Sequence, residues 1–68
     1  MIIHHLHPKT NQYYLNLTFS KFGPVLQVKM IHPTSAIIDM MYYHDAIQAQ
    51  FYMNDCELDG HAISVTLH

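Results

Sequence analysis

Two runs of alternating apolar and polar residues, VLQVKMIH (25–32) and SAIIDMM (35–41), stand almost end to end, with only Pro33 and Thr34 between them. Successive side chains of a strand point to opposite faces, so Val28 and Met30 share one face while Gln27, Lys29 and Ile31 share the other. A connection this short cannot carry the chain back to begin a parallel strand, so the pair is an antiparallel hairpin. Every other element must be arranged around it.

The segments on either side change period. From Asn11 onward Leu15, Thr18, Phe19 and Phe22 recur at helical spacing, with Thr10 or Asn11 available as the N-cap. Gly23 is the natural C-cap, and Pro24 blocks continuation. After the hairpin, a second helix is expected from about His44 or Asp45, with Ala46, Ala49 and Met53 on its inner face. Asp45 suits the positive end of that helix dipole. The outermost segments, MIIHHL and AISVTLH, read as strands, and NDCELDGH as a turn. The order is therefore β-α-β-β-α-β, an α+β chain. A four-stranded antiparallel sheet with both helices on one face satisfies it and leaves the other face open.

Length and charge bound the function. Sixty-eight residues make one small domain, here expected over 1–68 as part of a longer protein, and a core this size needs most of its large apolar residues inside. There is no arginine, and three lysines stand against five acidic residues. A formal charge of -2 gives no electrostatic funnel toward phosphate or an anionic membrane. The single Cys56 excludes an internal disulfide and points to a reducing compartment, inside the cell in nucleus or cytoplasm. It lies between Asp55 and Glu57, which disfavour a thiolate, and no Ser, His and carboxylate grouping suggests catalysis. Seven histidines raise the question of metal, with His4-His5-x-His7 the obvious cluster. Residues 4 and 5 of a strand point to opposite faces, so neither a metal site nor another cofactor is expected.

Phe19-Ser20-Lys21-Phe22-Gly23-Pro24-Val25, Asp45-Ala46-Ile47-Gln48-Ala49 and Leu58-Asp59-Gly60-His61-Ala62-Ile63-Ser64-Val65 together resemble the RNA recognition motif family. The resemblance implies a ferredoxin-like sandwich with strand order 4-1-3-2. It also implies single-stranded RNA as the partner of the open sheet. The family's basic-Gly-aromatic octapeptide on the third strand falls on residues 33–40. Both of its stacking aromatics are then replaced, by Ser35 and Ile37, and its basic residue by Pro33. The first-strand hexapeptide falls on residues 1–6, with Ile2 in place of its aromatic. A variant of the family grips a peptide through Arg-x-Phe before the fourth strand. Here that loop reads Cys56-Glu57-Leu58, without the arginine.

Two surfaces thus compete. An RNA face would comprise Ile2, His4, Lys29, Ile31, Ser35, Ile37 and Asp39, with His4 able to stack on a base or hydrogen-bond to it. Stacking on a ring is worth about 1–3 kcal/mol per base, so the missing aromatics predict weak binding. On the helices, periodicity turns Tyr13 and Leu17 away from the core, and Ile47 and Phe51 obliquely or outward. These four could instead meet a protein partner or a second copy of the chain. Tyr42 and Tyr43 are expected as one buried residue and one surface cap.

Overall fold

A computed structural model describes residues 1–67. The elements run β1 (Ile2–His4), α1 (Gln12–Phe19), β2 (Val25–His32), β3 (Ser35–Met40), α2 (Tyr43–Met53), β4 (Glu57–Leu58), β5 (His61–Ala62) and β6 (Ser64–Thr66). The main sheet has the order β2-β3-β1-β6, with every pairing antiparallel. With β6 as the fourth principal strand, this is the expected 4-1-3-2 arrangement. The β4–β5 pair is an addition: it spans the expected turn, takes Ala62 from the expected last strand, which begins instead at Ser64, and folds back at Asp59 and Gly60, both at positive φ. The expected last strand extended to His68, which lies outside the described residues.

Alternation places the core between sheet and helices. Ile3, Ala36, Ile38 and Val65 project from the sheet against Leu15 and Phe19 of α1 and Ala46 and Ala49 of α2, all buried. Phe22, Val28, Met30, Met40 and Met53 pack at its margin. Fully burying a side chain the size of Phe19 or Ile38 contributes about 1.5–3 kcal/mol, which is why a chain this short keeps them inside. Met1, Thr10 and Leu58 are also buried, although the strand and helix periodicities did not include them.

Local departures have physical causes. Strand β1 ends at His4 because His5 adopts φ 67°. The chain nonetheless stays against the hairpin turn, where Leu6 N–H donates to Thr34 C=O at 2.9 Å. Asn11 caps α1 by accepting from Tyr14 N–H at 2.8 Å. The helix stops at Phe19 with Ser20 as its C-cap, so Gly23 is not the cap that sequence periodicity suggests. Gly23 serves α2 instead. A Cβ there would lie 2.0 Å from Asp45 Oδ2, and its φ is +154°. Helix α2 begins at Tyr43, slightly earlier than expected, and its N-cap Tyr42 makes no side-chain capping bond. Both Tyr42 and Tyr43 are exposed, which corrects the expectation that one is buried.

The edge strand β6 is closed by α2. Val65 N–H donates to Asn54 Oδ1 at 2.9 Å, and Gln50 Nε2 donates to Val65 C=O at 3.3 Å. Two side chains thereby occupy the hydrogen-bonding positions that another strand would take.

Candidate functional site

The open sheet face is built by register. Ile2 of β1 is the partner of both Ile37 of β3 and Thr66 of β6, and Ile37 is the partner of Lys29 of β2. One row thus crosses the sheet as Lys29, Ile37, Ile2 and Thr66. The isoleucines are half-buried at its centre and the flanking residues exposed. A second row is polar. His4 faces Ser64 across the β1–β6 pair, and His4 Nδ1 and Ser35 Oγ share a hydrogen bond of 2.9 Å. At the other end, Asp39 is in register with Gln27.

Of the predicted sheet residues, the structure brings Ile2, His4, Lys29, Ser35, Ile37 and Asp39 onto this one face. Ile31 departs from it. The register shifts between Met30 and His32, so Ile31 has no cross-strand partner, and it is exposed at the bulge. It borders a depression between the β1–α1 and β2–β3 loops, lined also by Lys9, Asn11, His32 and Pro33. Thr66 and Ser64 belong to the face but were not among the predicted residues. Alternation about the inward Val65 carried the signal for both.

Electrostatically the face is nearly balanced, with Lys29 opposed by Asp39. The Met1 amine donates to Ile38 C=O at 3.1 Å. Burial holds its pKa below the ordinary value, and the nearby Asp39 carboxylate partly offsets this. An aliphatic centre bordered by hydroxyls, one imidazole and one ammonium can pack on a flat heterocycle and hydrogen-bond its edge. It offers little for phosphate.

The histidines separate. His4 lies on the sheet, whereas His7 packs edge-on against His61 with ring centroids 5.0 Å apart. That contact joins the β1–α1 loop to the β4–β5 hairpin beside the bond from Thr10 Oγ1 to Asp59 Oδ2, 2.7 Å. Among the described residues no three His, Cys, Asp or Glu side chains converge on a metal-sized site.

The helical residues divide. Tyr13, Leu17, Ile47 and Phe51 are all exposed, at 71, 52, 42 and 74%. They do not line one depression, since Tyr13 borders a hollow beside Leu26 and Gln27 of β2. Leu17 lines a groove of about 400 Å³ with Tyr14, Phe22, Met53 and Leu58. Phe51 extends a ladder of rings in which it meets Tyr52 edge-on at 5.2 Å and Tyr52 stacks on Phe22 at 6.1 Å. Tyr52 was not predicted there. Helical spacing places its neighbour Phe22 on the core side, so the sequence pattern does not reveal the stack. No helix among the described residues is long and apolar enough to cross a membrane.

Comparison with known proteins gives the same architecture. The crystal structure of the RRM domain of S. pombe Puf1 superposes with a TM-score of 0.92 at 23% identity, covering 98% of this chain and 84% of that one. The RRM3 domain of Mip6 gives 0.90 at 23% identity, covering 96% and 86%. The N-terminal RNA binding domain of a hypothetical protein gives 0.90 at 18%, covering 98% and 75%. No curated protein matches the sequence. The family model for the RNA recognition motif matches residues 2–64, nearly the whole chain. This chain belongs to the RNA recognition motif family, a family of RNA-binding domains.

Proposed function

We propose that this domain binds single-stranded RNA weakly, through a sheet face in which aliphatic residues stand where the family stacks aromatics. The observation that carries this reading is the cross-strand pair Ile2–Ile37 at the centre of an open face that also presents Lys29 and His4. Ser35, Asp39 and, at the bulge, Ile31 complete the surface. Bases pack on the isoleucines and on the His4 ring and are held at their edges by Ser64, Thr66 and Asp39, while Lys29 makes the single phosphate contact from the face. The reading involves no catalytic step, cofactor or membrane. It suits a module of a longer RNA-processing or post-transcriptional regulatory protein, working in nucleus or cytoplasm.

Fluorescence anisotropy with labelled short single-stranded RNAs tests it. The dissociation constant should be about 10 μM or weaker, because few stacking and phosphate contacts are available. On a logarithmic plot the salt slope should be shallow, about -0.7 for each phosphate neutralised. Sub-micromolar binding that falls steeply with salt would contradict this reading.

A second reading rests on the exposed rings of Phe51 and Tyr52, stacked on the half-buried Phe22, and on the adjoining groove at Leu17. Here the outer helical faces meet a protein partner or a second copy, with Ile47 one turn before Phe51 on α2 and Tyr13 contributing on the far flank of α1. Such contact should persist in high salt, unlike one driven by charge.

A further inference from the structure

Of the two central strands of the sheet, β3 carries no ring and β1 carries one, the imidazole of His4. Its position follows from register. Because Ile2 faces Ile37 and Ile3 faces Ala36, His4 lies across from Ser35, with Ser64 on its other side. The ring is exposed, yet it is not free to rotate without loss, since Nδ1 is hydrogen-bonded to Ser35 Oγ at 2.9 Å. It stands two residues along β1 from Ile2 on the same face, beside the Ile2–Ile37 pair. On its other flank the His5 ring is tilted by 50° at a centroid distance of 6.4 Å, too far and too inclined to cover it.

We infer that the His4 imidazole is the nucleobase-stacking platform of this domain and that Ser35 is its positioning residue. The inference rests on the sheet-face reading proposed above. An exposed histidine ordinarily loses rotamer freedom when a ligand packs on it, and that ordering weakens binding. Anchoring Nδ1 to a residue of the adjacent strand removes much of that loss in advance. Histidine rings serve as stacking surfaces for unstacked bases, and stacking tolerates any base because each has a π-face. The Ser35 hydroxyl can donate or accept, so the pairing holds with either neutral tautomer of His4. In both, Nε2 remains available to a polar atom of the bound nucleotide.

The test measures binding of a short oligouridylate, and of the same oligomer with abasic positions, to single and double variants whose folding is checked by amide NMR. His4→Ala should weaken oligouridylate binding about tenfold, consistent with the loss of one stacked base. It should leave the abasic oligomer's binding unchanged. His4→Phe, which keeps a ring, should bind within a few-fold of the parent. Ser35→Ala should weaken binding about two- to tenfold, as expected for a side chain that must now be ordered on binding. In the His4→Phe background the same change should have no effect, because no imidazole remains to be held. The ring nitrogen resonances of His4 should move on Ser35→Ala and be restored by Ser35→Thr. Equal losses from Ser35→Ala in both backgrounds would overturn the positioning role. Unchanged binding by His4→Ala, while Ile2→Asp abolishes it, would overturn the platform and leave the sheet reading standing. Binding insensitive to Ile2→Asp and His4→Ala alike would remove the sheet reading itself.

Discussion

Ile2 and Ile37 sit directly opposite one another on the two central strands, at the middle of the face that the helices leave uncovered. Their side chains supply apolar contact but no π-surface. Replacing them together, Ile2→Tyr with Ile37→Phe, should therefore strengthen binding to short single-stranded RNA. Each new ring adds about 1–3 kcal/mol where a base reaches it. Both positions are half-buried on a sheet, where aromatic residues are favoured, so the fold should survive. Titration of the double variant checks this, and unchanged affinity would show that bases do not reach the pair.

Gly23 lies against Asp45 of α2 rather than capping α1. A Cβ at position 23 would collide with the Asp45 carboxylate, and the φ of +154° is unfavourable to side chains. Gly23→Ala should lower stability by about 1–3 kcal/mol, in the range of overpacking and backbone strain. Adding Asp45→Ala should recover the part due to the clash and leave the part due to φ. Urea unfolding of the two variants separates these contributions.

Asn54 should protect the sheet from self-association as well as stabilise it. Asn54→Ala leaves Val65 N–H without its partner, which costs about 1–3 kcal/mol if water does not replace it. It also reopens one end of the β6 edge. Lower thermal stability together with concentration-dependent aggregation is expected, and light scattering during the melt reports both.

Much of this architecture was legible in the sequence because period and punctuation agreed. The hairpin at Pro33-Thr34 set two strands, and inner faces such as Val28 with Met30, Leu15 with Phe19, and Ala46 with Ala49 and Met53 followed from alternation and helical spacing. The less legible features depend on contacts remote in sequence. Gly23 and Asp45 are joined only by folding, as are Thr10 and Asp59, and a helical stripe cannot show that Gly23 serves the other helix. The bulge that removes Ile31 from the sheet rows likewise arises from how β2 and β3 register. On the site, the alternation that placed Ile2 and His4 together was visible. The bond between His4 and Ser35 was not, because it needs the register between two strands far apart in the chain. Ring pairs such as Tyr52 on Phe22 require the angle between helices, which no single stripe encodes.

The outer helical faces give a prediction with two readouts. Leu17 and Phe51 are 52 and 74% exposed, so Leu17→Glu with Phe51→Glu should change stability little, each by about 0.5 kcal/mol or less. If these residues form an interface, association seen by sedimentation should be lost while the fold is retained. Unfolding of the double variant would place them in the core, and unchanged association would exclude self-pairing through them.

The most direct test of the sheet as the RNA surface is a residue-resolved NMR titration with mixed short single-stranded RNAs. Even weak binding moves the resonances of the residues that meet the ligand. The account predicts progressive shifts at Ile2, His4, Lys29, Ser35 and Ile37, with Tyr13, Leu17, Ile47 and Phe51 unmoved. Shifts confined to the helical residues, with the sheet silent, would contradict it.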